Sequence, residues 1–380
     1  MKRATRRGWV GLGMAALCVA ALGPLFAQGR GGGPGGGSKP DPKARQERPI
    51  QLGVSGGNAT DIANGFCCSG TLGALVENAT GQFILSNSHV FAGDIAGADQ
   101  AEIGDPINQS GLIDAACQNR PEDYVAHLSS ESSINPGGVS PVDAAIAKVI
   151  DGMVRTDGAI LGIGTIGSSP IAASVNQSVK KSGRTTGLTS SRVEAVNATI
   201  SVGYTNECGG TSFTSMYTGQ IIVANRGQKF LAGGDSGSMM VENASTNPRA
   251  IGLLFAGSSS IAVANPISDV LNYHHVTLVG QASGTSLDAP NDAVAQATAR
   301  AIAAQERNAA RLITVPGAVG HAVGVPENAN AVVIKVYVPE ITARARQALP
   351  NELEGVPVVL EAVGQVIGLG AKVPCNQPKK

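Results

Sequence analysis

Glycines crowd one hydroxyl in the stretch Gly233-Gly234-Asp235-Ser236-Gly237-Ser238. A serine attacks carbonyls only when a base takes its proton and backbone N–H groups hold the oxyanion that forms. Glycine on both sides lets the backbone come close to a substrate. The same hexapeptide also reads as a Gly/Ser-rich surface turn, since the chain holds 50 glycines in 380 residues. A base and an acid are needed to separate the two readings. Five histidines exist, at 89, 127, 274, 275 and 321, and only His89 follows an apolar strand-like run, Gln82-Phe83-Ile84-Leu85, through the bend Ser86-Asn87-Ser88. Taken alone, His89 also fits a partly buried, hydrogen-bonded imidazole. Asp143 opens the apolar run Ala144-Ala145-Ile146-Ala147-Lys148-Val149-Ile150. A carboxylate there is costly unless hydrogen-bonded, for example to an imidazole; it also fits a turn residue after Pro141.

The three candidates run His89, Asp143, Ser236 along the chain, one of the known orders for a proton-relaying triad. The alternative G-x-S-x-G pattern fails because position 238 is serine.

On these residues the chain resembles the trypsin-like serine peptidases of the chymotrypsin fold, in their secreted bacterial branch. Cys68-Ser69-Gly70-Thr71-Leu72-Gly73-Ala74-Leu75-Val76 resembles the strand leading to the histidine. Ser182-Gly183-Arg184-Thr185-Thr186-Gly187-Leu188-Thr189 resembles a segment of the second barrel, and Ile251-Gly252-Leu253-Leu254-Phe255-Ala256-Gly257 the substrate-binding strand. The resemblance implies Ser236 as nucleophile, His89 as general base and then acid, and Asp143 as the group that orients the imidazole. It places an oxyanion hole at the N–H groups of Gly234 and Ser236. Arg48-Pro49-Ile50 would resist tryptic activation, so the resemblance gives Asp235 an internal partner, Arg184, whose alternative is a solvated turn residue. No acid precedes the nucleophile in Lys229-Phe230-Leu231-Ala232. Leu231, Leu254 and Gly257 are expected at the substrate pocket, implying cleavage after apolar residues; Leu231 and Leu254 fit plain core equally well.

These residues need a frame. From Ile50 to about Gly280, short Val/Ile-rich runs alternate with Gly/Asn/Ser turns, an all-β pattern. The fold class is mainly β, and the resemblance makes it two six-stranded antiparallel β-barrels followed by a C-terminal helix and a small α+β module. The expected divisions are a signal peptide at 1–27, a Gly/Pro-rich linker at 28–49, and the peptidase domain at 50–280. A linker and helix at 281–312 and the module at 313–372 follow, the latter built from strand, strand, helix and strand. Within them, Gly284 to Pro290 reads as linker and Asn291 to Leu312 as an alanine-rich helix. No chemistry is evident in the module, where His321 reads as structural; residues 291–372 are a candidate surface for homo-oligomerisation. His274 and His275 read as a surface helix end or loop.

Lys2, Arg3, Arg6 and Arg7 head an apolar stretch, Trp9 to Phe26, which reads as a secretory signal. The protein is expected to be secreted or periplasmic, and Arg6-Arg7 permits the twin-arginine route. Without residues 1–27, 24 basic and 28 acidic residues remain, net −4. No basic face suggests nucleic acid, and no mature segment is long and apolar enough to span a membrane. Export permits disulfides. Of Cys67, Cys68, Cys117, Cys208 and Cys375, an odd set, Cys68 with Cys117 is the favoured pair. No histidine stands at ligand spacing from them, so neither metal nor cofactor is expected. The function so read is a serine endopeptidase acting on protein or peptide substrates through an acyl-enzyme, its rate falling as His89 protonates. The competing reading is a catalytically weak relative that binds peptides or partners; a structural surface protein is the third.

Overall fold

The computed structural model describes residues 40–93, 101–282, 292–326 and 331–375. The expected signal peptide, residues 28–39 of the first linker and the Gly284–Pro290 linker lie outside the described residues. Among the described residues, no helix is long and apolar enough to cross a membrane.

The chain is mainly β, with its strands in two sheets, as the resemblance implies. In the first sheet, Ala74–Asn78, Gly81–Ser86, Ala145–Val149 and Tyr124–Glu131 lie side by side, and Pro106–Asn108 leads on to Val54–Asn58 and Phe66–Leu72. Strand Gly81–Ser86 buries Phe83, Ile84 and Leu85, which is why an apolar run sits between two polar ends. It pairs antiparallel with Ala145–Val149, with Leu85 opposite Ile146 and Ser86 opposite Ala145. That register carries the two strand ends, and the residues just outside them, to one place.

In the second sheet, Thr189–Thr205 pairs with Ser178–Lys181, and the order runs on through Met239–Glu242, Ala250–Gly257, Ile261–Pro266 and Ser212–Ala224. Ser212–Ala224 then pairs antiparallel with Thr189–Thr205, which closes the path into a ring. Its interior is filled mostly by Val, Ile, Leu and Ala, with Tyr204, Tyr217 and Phe255 among them.

Thr189–Thr205 is 17 residues long and has a further edge to offer. Gly320–Gly324 takes it up, Val333–Val338 follows antiparallel, and Val356–Ala362 lies parallel to Val333–Val338. These three strands of the expected module therefore lengthen the second sheet. An exposed edge would present unpaired N–H and C=O groups, and this pairing covers it. Helix Asp292–Arg307 lays Ala301 and Ala304 against Val323, Ile334 and Val336. Beyond Ala362 the chain returns to strands that precede residue 260. Ile367–Gly368 pairs with both Thr189–Thr205 and Ala250–Gly257, and Ala371–Pro374 pairs antiparallel with Phe66–Leu72.

The disulfides correct the sequence expectation. Cys67 bonds Cys117 and Cys68 bonds Cys208, while Cys375 is free. Cys117 is reached from the neighbouring position, 67, because successive side chains of a strand leave on opposite faces. The Cys68–Cys208 bond joins a strand of the first sheet to the loop after Thr189–Thr205 of the second.

Candidate active site

Asp143 stands just before the Ala145–Val149 strand, and His89 lies in the single helical turn Ser88–Phe91 that follows Gly81–Ser86. Polar residues of the bend fasten the two ends together. The Asn87 amide donates to the Asp143 carbonyl at 2.7 Å, and the Ser88 hydroxyl to the Ala144 carbonyl at 2.8 Å. From the second sheet, the Asn265 amide donates to the same Asp143 carbonyl at 3.1 Å, and its Oδ1 accepts the Asp143 N–H at 3.2 Å. Asp143 is thus held by its backbone between the sheets, and its side chain is fully buried.

A buried carboxylate needs donors. The His89 Nδ1 is 2.6 Å from Asp143 Oδ2, and the His89 backbone N–H is 3.3 Å from Oδ1. An ionised carboxylate only accepts, so Nδ1 carries the hydrogen and Nε2 is left as an acceptor. The Tyr204 hydroxyl donates to Oδ2 at 3.0 Å. Burial first, and the Asp143 charge next, hold the Tyr204 phenol well above its ordinary range, so it stays a donor. Nε2 of His89 is buried and has no hydrogen-bond partner.

Ser236 sits in the glycine turn with Gly234 at φ +95° and Gly237 at φ +91°. Glycine at 237 is required on two counts. Its φ is one that side chains rarely adopt, and a Cβ would come within 2.2 Å of the Ser86 hydroxyl oxygen. The Ser236 hydroxyl donates to the Phe255 carbonyl at 3.0 Å, and the Ser236 carbonyl accepts the Thr71 N–H at 2.8 Å. The Gly234 N–H points to the Leu369 carbonyl at 2.7 Å. Leu369 also donates its N–H to the Phe255 carbonyl at 3.0 Å. At the next residue, Gly370, a Cβ would lie 3.2 Å from His89 Cδ2 and 3.7 Å from Nε2. The His89 ring, the Gly234 N–H and, through the shared Phe255 carbonyl, the Ser236 hydroxyl therefore all meet the stretch Leu369–Gly370, with Asp143 behind the imidazole; the Ser236 hydroxyl is not hydrogen-bonded to His89 Nε2. A cavity of about 470 Å³ opens beside His89, lined also by Tyr204, Phe213, Glu207, Gly368 and Gly370 among others; Asp143, Gly234 and Ser236 do not line it.

The expected Asp235–Arg184 pair is not the one formed. Arg184 turns to Asp114, with Nε 2.7 Å from Oδ2 and Nη2 2.8 Å from Oδ1, and Ser55 donates to the same carboxylate. Two parallel N–H···O bonds match the guanidinium fork, which a single carboxylate already surrounded by backbone donors would not. Asp235 is such a carboxylate. It accepts the N–H groups of Thr185, Thr186 and Ala232 at 2.8, 3.1 and 3.0 Å and the Thr186 hydroxyl at 2.7 Å. Its cationic partner is Lys181, at 3.6 Å and fully buried. Burial pulls the Lys181 ammonium down to about 8, and the Asp235 charge works the other way. The segment Ser182–Thr189 does support the Asp235 turn, through the N–H groups of Thr185 and Thr186 and the Thr186 hydroxyl, while the cation comes from Lys181 just before it.

Leu231 and Leu254 are buried in one cluster with Phe230 and Leu369. Gly257 is buried at the end of Ala250–Gly257 and pairs with Ile367. Sequence reasoning missed Tyr204, Lys181, Asp114 and Leu369. Tyr204 was hidden in a strand as one more apolar position. Lys181 carried little signal: it stands in the short strand Ser178-Val179-Lys180-Lys181, where a second lysine beside it hides the one that is buried. His274, expected at the surface, is buried; its Nε2 reaches the Ala144 carbonyl at 3.0 Å and its Nδ1 the Ser130 hydroxyl at 3.0 Å.

A family model described as the Nal1 C-terminal domain matches residues 117–265. No curated protein matches the chain. Among solved structures, the chain is similar to a glutamic-acid-specific serine protease at 20% identity, over 60% of this chain and 100% of that one, with a TM-score of 0.40. It is similar to Thermobifida fusca Protease A at 18% identity, over 61% and 99%, with a TM-score of 0.39. A third similar structure is the active form of the M. tuberculosis protease Rv3671c, at 14% identity, over 57% and 76%, with a TM-score of 0.29. These are chymotrypsin-fold bacterial serine proteases, and none of them assigns an activity to this chain.

Proposed function

We propose that this protein is a serine endopeptidase with Ser236 as nucleophile, His89 as general base and acid, and Asp143 as the orienting carboxylate. One observation carries the reading: a buried imidazole bonded through Nδ1 to a buried Asp143 leaves Nε2 without a partner and faces Gly370, while the glycine turn that holds Ser236 binds the adjoining Leu369 carbonyl through the Gly234 N–H. In that arrangement Nε2 takes the Ser236 proton as Oγ adds to a peptide carbonyl, then delivers it to the departing amine. The Gly234 N–H, with that of Ser236, would hold the oxyanion; one such donor is worth about 3–4 kcal/mol of barrier in a comparable site. The apolar surroundings of Leu231 and Leu254 support a preference for apolar residues before the cut. The N-terminal 27 residues support export.

A specific observation favours the second reading, a relative that binds peptides and turns them over weakly. The Ser236 hydroxyl is bonded to the Phe255 carbonyl, a bond it must give up to be activated. A small phosphonofluoridate probe separates the two. Covalent labelling of the wild type, lost in Ser236→Ala, supports the peptidase; an unlabelled wild type under conditions that label trypsin removes it.

A further inference from the structure

One peptide bond of this chain lies where the candidate groups converge, and the segment around it is extended on both sides. Upstream, Ile367 and Gly368 pair antiparallel with Gly257 and Ala256. Downstream, Ala371–Pro374 pair antiparallel with Phe66–Ser69. Between them, Leu369 donates its N–H to the Phe255 carbonyl at 3.0 Å and offers its carbonyl to the Gly234 N–H at 2.7 Å. The Leu369 side chain is 6% exposed and clusters with Phe230, Leu231 and Leu254. Gly370, on the other side of the bond, faces the His89 ring, where even a Cβ would stand at 3.2 Å.

This is more than a chain end laid on a surface. The backbone is read by antiparallel pairing on two strands from two different sheets, one on each side of the Leu369–Gly370 bond. The carbonyl of that bond takes the N–H meant for a developing oxyanion. An apolar pocket fixes which residue precedes the bond, and the imidazole fixes which residue follows it.

We propose that residues 366–374 are an internal ligand of the cleft, bound as a substrate is bound. The site then takes an extended peptide with leucine, or an apolar residue of similar size, before the scissile bond and glycine after it. The tail must leave before another peptide enters. This inference rests on the serine peptidase reading for its chemistry, though not for the binding it describes. Tethering supplies the tail at a high effective concentration, so it outcompetes free peptides. Its own bond is protected because Ala371–Pro374 stays paired to the Phe66–Leu72 strand, which holds the leaving amine in place to re-form the bond. A free peptide has no such restraint. Its Leu–Gly bond breaks as Ser236 Oγ bonds to the leucine carbonyl carbon and His89 passes the proton to the glycine amine. Water then splits the ester, releasing the leucine carboxylate and restoring the serine.

The test uses the full chain with Leu369→Asp. A carboxylate is costly in this apolar pocket, so the tail is expelled. A fluorogenic peptide with the sequence of residues 364–373 should be cut at its Leu–Gly bond at least about tenfold faster by Leu369→Asp than by the wild type. The double variant Leu369→Asp, Ser236→Ala should bind the same peptide without cutting it, measured by anisotropy, and should not bind a version with Asp in place of Leu. Leu369→Ala, which adds no charge, should give an intermediate rate and guards against misfolding of the first variant. Equal rates from wild type, Leu369→Asp and Leu369→Ala overturn the proposal while leaving the peptidase reading intact. Peptide binding by Leu369→Asp with no cleavage and no probe labelling keeps the tail assignment and removes the peptidase reading.

Discussion

Single side chains set the electrostatics of this site, and Tyr204 is the clearest case. Its hydroxyl is one of the few donors to a carboxylate with no solvent. Tyr204→Phe keeps the ring and its packing on Phe213 but deletes the donor. Hydrogen bonds to charged groups contribute about 1.5–3 kcal/mol, so peptide turnover should fall at least about tenfold while KM changes little. An unchanged kcat in steady-state assays would show that Asp143 does not depend on this phenol. The His89–Asp143 contact was legible in the sequence because a histidine at a strand end and a carboxylate opening an apolar run each need a reason to be there. Tyr204 was not, since an aromatic at an inward strand position looks the same whether or not its hydroxyl is used. The Arg184–Asp235 expectation failed for a related reason: residue type gives charge, but only the fold shows that Asp114 arrives with two oxygens for the guanidinium.

At the level of elements, helix Ile267–His274 is pinned to the strand that begins beside Asp143. His274 does this through Nε2 on the Ala144 carbonyl, and its Nδ1 meets Ser130 of the neighbouring strand Tyr124–Glu131. Because a carbonyl only accepts, Nε2 carries the hydrogen; burial keeps the ring neutral, so Nδ1 accepts from the Ser130 hydroxyl. Burial lowers the His274 imidazole from 6.5 to about 4, and burial does the same to His321. The folded pKa lies below the unfolded one, so between these values the unfolded chain holds a proton that the folded chain does not. Stability from this source is therefore full above pH 6.5 and is lost as pH falls towards 4, by about 3 kcal/mol for a shift of this size. Urea unfolding at pH 7 and pH 5 should show the loss, and His274→Gln should show a shallower one; an identical slope in both proteins would remove His274 from the account. The helix within Asn291 to Leu312 was legible in outline, though it is divided at Asn308 into Asp292–Arg307 and Ala309–Leu312. The partner of the Gly320–Gly324 strand was not, because period-two alternation shows that a strand exists and not which edge it joins.

Taken as a whole molecule, two sheets share one cleft, and one covalent bond spans it. Cys68–Cys208 closes a separation of 140 residues, for which chain entropy alone gives about 5 kcal/mol. Cys208→Ser should lower the unfolding free energy by about 2–5 kcal/mol, measured by guanidinium titration. A change below about 1 kcal/mol would mean that strand pairing and packing already hold the sheets together. The same contacts explain why the domain plan was only partly readable. The mainly β class followed from the spacing of apolar runs and turns, but the return of residues 367–374 to the cleft depends on pairings more than a hundred residues away, between Cys67 and Val373 or Gly257 and Ile367.

The vicinal cysteines have a consequence of their own. Neighbouring side chains of a strand leave on opposite sides, and here each sulfur is anchored to a different loop. Sliding Phe66–Leu72 by a single position would send both sulfurs to the wrong side, so the strand behaves as a keyed peg that fits its slot in only one way. Lys372 and Val373 are aligned on those two cysteines. The peg thus fixes the frame in which a polypeptide is read through the groove, and a reductant would loosen that frame as well as the fold.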